Sequence, residues 1–351
     1  MTSGRLMRQV VITAPETFEI SEAPIPGRKN GELLLAPLRV GICATDLELL
    51  DGSMVYLRNG RATRPLVPGH EWVAVVIDAG PDTPGFAVGD HVVGECSIGC
   101  SSCEVCIRGD YHQCPSRTET GIMRRPGAMS QFISFPAGAA HVVPTPVPLD
   151  DAALIEPTAV AYRAILRLNP RPGETVLVVG AGTLGYLAAA LLAGVFGLKV
   201  AVAERRPERR ARVEALGCRP PGDSERFRYV VEAAGTPHGV AEAIRRLDTG
   251  GRAVLVGLSG QTSLPIPIDD LVVQDQEIVG SLGSPNVWPE VVRSVAAGTV
   301  RPGVLVTSTY GIDQYGEAIE YLAQSTATTG KLLIAPHASA AAAIAAYTST
   351  P

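Results

Sequence analysis

The sequence predicts an α/β protein of two domains: a β-rich unit over residues 1–155 and a doubly wound parallel sheet over residues 156–299. Three observations carry that expectation. In the first stretch, short apolar runs at 32–40, 72–78, 90–94 and 131–135 are broken at close intervals by Gly and Pro, the pattern of a barrel or folded sandwich. From about residue 156 the pattern changes to apolar strands (175–179, 199–203, 229–232, 252–258) alternating with helical stretches (184–196, 207–216, 239–247). A glycine-rich run, Gly180-Ala-Gly182-Thr183-Leu184-Gly185, follows the first of those strands and opens the first of those helices. The last fifty residues are mixed, and the Ala-rich segment 337–351 reads as a loose terminal helix or disorder.

Composition narrows the function. The 351 residues suffice for two cores, and 37 glycines with 28 prolines provide the many turns the first stretch needs. A net charge of −5 with no basic patch argues against nucleic acid as a partner. The N-terminal segment lacks the apolar core of a signal peptide. The longest apolar stretch, 184–198, is too short to cross a bilayer. A cytoplasmic protein without a membrane partner is therefore expected.

Four cysteines read Cys100-x2-Cys103-x2-Cys106-x7-Cys114. Four thiolates this close in sequence can close around one tetrahedral zinc, leaving no open position, so such a site is structural. The alternative is a disulfide pair, which a reducing cytosol disfavours. Cys96 and Cys218 have no motif to join and read as spare thiols.

The glycine-rich run stands in the context a dinucleotide requires, between a buried strand and a helix. Gly180 allows the tight turn, Gly182 lets backbone approach a pyrophosphate, and Gly185 lets helix and strand pack closely. The helix start, at Thr183 and Leu184, offers free N–H groups to phosphate. Glu204 ends the second strand and can accept from ribose hydroxyls, which favours NAD. Arg205 and Arg206 follow it and can instead hold the extra phosphate of NADP.

Three further segments matter in combination: Gly41-Ile-Cys43-Ala-Thr45-Asp46, Gly69-His70-Glu71 and Leu154-Ile-Glu156-Pro157. In this order, with the cysteine lobe and the glycine-rich run, they resemble the zinc-dependent medium-chain dehydrogenases/reductases, the alcohol and polyol dehydrogenase superfamily. The resemblance spans nearly all of residues 30–335. It implies a GroES-like catalytic domain over 1–155 completed by 300–351, a Rossmann domain, and an active site in the cleft between them. By the same resemblance Cys43 and His70 are ligands of a second, catalytic zinc, with Glu71 and Glu156 sharing the remaining positions with water. Thr45 would sit beside the reacting oxygen and begin a proton relay. Its outer member would be Glu48, where most relatives have His and glucose dehydrogenases have Glu.

That replacement points to a sugar, cyclitol or polyol substrate, as does Glu119, which lies where sugar dehydrogenases place a hydroxyl-binding carboxylate. Tyr56 and Arg58 are candidates for the pocket mouth, and Asn286 and Trp288 for the nicotinamide side. Local similarity to cyclitol and amino-cyclitol dehydrogenases points the same way. The resemblance also implies a homodimer or homotetramer joined near 277–282. The competing readings are an NADP-linked ketone or aldehyde reductase and a non-catalytic family member.

Overall fold

A computed structural model describes residues 5–258, 260, 263–324 and 330–349. It divides into two compact units. One comprises residues 1–156, 288–296 and 301–351, the other residues 157–287 and 297–300.

The first unit is built on a seven-stranded sheet. Its main path runs Ala140–Val142, His91–Gly94, Glu71–Asp78, Glu32–Gly41, Lys331–Ala335, Val306–Gly311, and Ile133–Pro136 pairs with Glu32–Gly41 off that path. The two central strands are apolar on nearly every residue because both faces are covered, so no clean alternation appears in the sequence. Trp72, Phe135, Leu33, Leu35 and Val40 pack one face, and Trp72 and Phe135 meet edge to face. Leu34, Leu38 and Val75 pack the other, with Ala343 of the terminal helix Ala340–Ser349. The 337–351 segment is therefore not loose over its described part. Ala343, with Ala340, Ile344 and Tyr347 beside it, seats the helix on the sheet, a contact that composition alone does not reveal.

In the second unit five parallel strands stand in the order Lys199–Ala203, Thr175–Val179, Phe227–Glu232, Leu247–Leu255, Glu277–Gly280. From Thr175–Val179 the chain steps out to one side and then returns to the other, so a topological switch point lies at the end of that strand. Helix Thr183–Gly194 is buried along most of its length, which explains its continuous apolar run. One helix differs from expectation. It spans Pro237–Arg245, because the Thr236 hydroxyl accepts from Gly239 N as an N-cap and Pro237 occupies the first position. The following strand then begins at Leu247 and ends at Leu255. No described helix is long and apolar enough to cross a membrane.

Candidate active site

Sheet register assembles the first cluster. Glu32–Gly41 and Glu71–Asp78 are antiparallel, with Gly41 opposite Glu71. Cys43 lies just beyond one strand and His70 just before the other, so both fall at the same sheet end. The ligand atoms of Cys43, His70 and Glu71 lie within 4.8 Å of one another. A side chain at position 41 would collide with the Glu71 carboxylate, so the glycine leaves that carboxylate its room.

Two residues with no role assigned from sequence hold this cluster. Asp46, fully buried, accepts from Cys43 N at 2.8 Å and from Gly69 N at 3.2 Å, and stands 3.7 Å from His70 Nδ1. It thus ties both loops together and sets a carboxylate beside the imidazole, the place outer partners of metal ligands occupy. Its position three residues after the helix N-cap, Cys43, was a readable capping signal. Lys331 had no sequence signal. Its ammonium lies 2.5 Å from Glu71 Oε2, both groups buried. Glu156 stands outside the close set but acts electrostatically on His70, and burial pushes its carboxyl up to about 7. Among the described residues that act on Asp46, His70 and Lys331 supply positive charge against the Asp46 and Glu71 carboxylates. A soft thiolate, an imidazole and carboxylates in a buried, acid-rich pocket fit a zinc ion.

The four-cysteine lobe fits zinc by distance. Sulfurs bound at about 2.3 Å to one tetrahedral zinc stand about 3.8 Å apart. Here Cys103 and Cys114 are 3.8 Å apart and Cys100 and Cys106 3.9 Å, all four sulfurs lie within 4.8 Å, and none is in a disulfide. Hydrogen bonds from Ser102 lower the Cys100 thiol toward the thiolate that binds metal, while burial and the neighbouring thiols push the Cys106 thiol up. The lobe is fastened by Tyr111, whose hydroxyl donates to Glu95. Glu95 in turn bonds His141, whose ring stacks on Trp288 at 5.2 Å. Trp288 is fully buried in this packing, so its expected place at the nicotinamide side is corrected. Asn286 is exposed.

The second unit carries the glycine-rich turn at its switch point. Gly180 has φ +89°, and a Cβ there would come within 2.8 Å of Ala234 Cα. Gly185 faces the Gly180 carbonyl with no room for a side chain. Gly182, the N-cap of helix Thr183–Gly194, opens onto space bounded by Arg209. A 610 Å³ cavity there is lined by Gly180, Gly182, Glu204, Arg205, Arg206 and Arg209 among others. The Glu204 carboxylate accepts from Ala181 N, Arg205 N and Arg206 N. Although burial opposes it, these N–H groups and Arg209 lower its pKa, so it is ionised. The cradle and its carboxylate fit a dinucleotide. Arg209, half buried over this turn, is a member that sequence reasoning missed.

Thr45 and Glu48 lie on helix Ala44–Asp51, Tyr56 and Arg58 on helix Val55–Arg58, and Glu119 on strand Thr118–Thr120. Glu119 is buried and paired with Arg117 rather than facing solvent from a loop.

Residues 29–146 match the alcohol dehydrogenase GroES-like domain, and residues 183–297 match the zinc-binding dehydrogenase family. Sorbitol dehydrogenase of Bacillus subtilis (strain 168) is 26% identical over 94% of this chain and 98% of its own length. L-threonine 3-dehydrogenase of Streptomyces coelicolor is 33% identical over 71% of this chain and 75% of its own. A solved alcohol dehydrogenase of E. coli CFT073, in complex with NADH, superposes with a TM-score of 0.85 at 25% identity, covering 95% of this chain and all of that one.

Proposed function

The chain belongs to the zinc-binding alcohol dehydrogenase family, and from that premise we propose that it oxidises a secondary alcohol on a polyol, sugar or cyclitol and passes the hydride to NAD. The observation that carries the reading is the strand register that gathers Cys43, His70 and Glu71 at one sheet end. The sorbitol dehydrogenase relative supports the polyol class. Cys43, His70 and a carboxylate of Glu71 or Glu156 would hold the catalytic zinc, and Cys100, Cys103, Cys106 and Cys114 the structural one. When bound, zinc supplies a Lewis acid that eases loss of the alcohol proton, and the nicotinamide supplies the hydride acceptor.

The protein's own residues manage the proton and the orientation. Thr45 and Glu48 stand three residues apart on one helix and so share a face. The Thr45 hydroxyl takes the substrate proton and hands its own outward to Glu48. Burial, with Asp51 adding, raises the pKa of Glu48, which suits a carboxylate that must accept and release a proton. Lys331 pairs with Glu71 Oε2, so Oε1 is the freer oxygen for a metal. Gly180, Gly182 and Gly185 cradle the pyrophosphate. Ionised Glu204 receives a ribose hydroxyl and repels a 2′-phosphate. The NADP-linked reading keeps one supporting observation, the arginines that line the same cavity.

The free cysteines and the two thiolate sites suit a reducing, cytoplasmic setting. The outermost strand Glu277–Gly280 supports assembly with a second copy. Metal analysis tests the central claim. Purified protein should carry two zincs per chain, and Cys43→Ser should remain folded with about one zinc, since the structural site is separate. It should also lose alcohol oxidation, and an active Cys43→Ser protein would overturn the assignment.

A further inference from the structure

We propose that Arg117 is a specificity-determining residue, which with Glu119 and Tyr56 forms a charge-neutral donor–acceptor array reading two neighbouring hydroxyls of an uncharged polyol. The inference rests on the dehydrogenase reading above and extends it to a residue outside every motif in the sequence.

Arg117 is 7% exposed and Glu119 4%. Arg117 Nε donates to Glu119 Oε1 at 2.8 Å, and its Nη2 donates to the Tyr56 hydroxyl at 3.0 Å. The Tyr56 hydroxyl donates to the same Oε1 at 3.4 Å, and its ring lies 5.8 Å from the guanidinium carbon. The three side chains therefore hold one another in fixed positions. Oε1 of Glu119 is used by two donors, while among the described residues Oε2 of Glu119 and Nη1 of Arg117 have no hydrogen-bond partner. One acceptor on Glu119 and one donor on Arg117 remain, held in place by the shared hydrogen bonds.

Their place is beside the metal cluster. Glu119 lies on strand Thr118–Thr120, and the next residue, Gly121, packs so closely on Gly69 that a Cβ would come within 2.8 Å of the Gly69 backbone. Gly69 immediately precedes His70. Glu119 is also among the charges that act on Glu156.

The charge balance selects the substrate. Arg117 is already neutralised by Glu119, so the pair offers no net positive charge to a carboxylate or phosphate. Such a group would also approach Glu119 and Glu156. A hydroxyl both donates and accepts, so one hydroxyl can give its proton to Oε2 while its neighbour receives the Nη1 hydrogen. A simple alcohol fills neither place, so it gains none of the hydrogen bonds to charged groups that a diol makes.

The central comparison is between inositol and cyclohexanol, which share a ring and differ only in extra hydroxyls. For the zinc-loaded protein, kcat/KM is measured on myo-inositol, a hexitol, a hexonate and cyclohexanol. In the wild type the neutral polyols should lead. In Arg117→Met the ratio of kcat/KM for inositol to that for cyclohexanol should fall by about tenfold or more, mainly through KM, the scale of losing hydrogen bonds to a charged group. Tyr56→Phe keeps the ring beneath the guanidinium and should lower the ratio by less, and it remains informative if Arg117→Met misfolds. Equal losses on inositol and cyclohexanol would assign Arg117 a structural role and overturn the proposal, as would a wild-type preference for the hexonate. A wild type that oxidises cyclohexanol but no polyol would overturn it while leaving the dehydrogenase standing. A folded, zinc-loaded wild type that oxidises none of them would overturn the polyol reading on which the proposal rests.

Discussion

Removing the Glu204 carboxylate takes away a charge and also leaves three backbone N–H groups without their acceptor. Glu204→Ala should therefore weaken NAD binding by about tenfold or more, the worth of a charge-assisted hydrogen bond. Relative affinity for NADP should rise, because the repelling charge is gone while Arg209 still lies over the turn. Titration of both dinucleotides against the wild type and the variant reads this directly. A wild type that binds NADP tenfold more tightly than NAD would reverse the assignment. Residues of this kind were legible in the sequence where their partners are near in the chain. The cysteine lobe spans fifteen positions, and the glycine-rich run six, so spacing alone announces each. Asp46 was half legible, through its capping position. Lys331 and Arg117 were not. Lys331 meets Glu71 only because strand Lys331–Ala335 pairs beside Gly41, and no local pattern encodes that pairing. Arg117 meets Tyr56 across a loop and a separate helix.

Elements were legible by type more than by extent. The parallel strands 175–179 and 199–203 were readable to the residue because both faces are buried and turns bound them. The C-terminal helix was not, since alanines carry no amphipathic signature. It is held at both ends. Tyr347 packs on Phe132, and Arg5 donates to the Tyr347 carbonyl. Just before the helix, His337 Nε2 bonds the Gln131 carbonyl at 2.8 Å and its ring meets Phe132 at 5.3 Å. Burial lowers the pKa of His337, and nearby Arg8 adds to this, partly opposed by the Gln131 bond. The folded state thus prefers neutral imidazole, while the unfolded chain binds a proton below about pH 6.5. The stabilisation is present above that pH and is lost as pH falls through it. Glu156, pushed up to about 7, and His70, also raised, titrate the other way over this range, while His91 is lowered by burial like His337. Between pH 7.5 and 5.5 the urea midpoint of His337→Gln should therefore fall less, or rise more, than that of the wild type. An unchanged pH dependence in His337→Gln would refute the role given to this anchor.

For the whole molecule, the open question is what covers the outer edge of the parallel sheet. Strand Glu277–Gly280 is last in the sheet order and, among the described residues, pairs only with Leu247–Leu255. An uncovered edge presents N–H and C=O groups that invite another strand. Apolar side chains gather near it in sequence: Val272 is 74% exposed, Val273 82%, Ile268 61% and Leu282 45%. The first three belong to the short helix Ile268–Val273, which therefore turns an apolar surface outward. A two-fold partner would pair edge to edge in antiparallel fashion and bury those valines in the same contact, a self-complementary interface. The wild type should then be a dimer or tetramer by light scattering at micromolar concentration. Val273→Glu places a charge in the apolar contact, and a proline at Ile278 removes a donor N–H from the edge, so both should shift the protein toward monomer. Val273→Glu should still hold two zincs, because both candidate metal sites lie in the other unit. A wild type that scatters as a monomer, or a Val273→Glu protein with unchanged mass, would remove the edge strand from the interface.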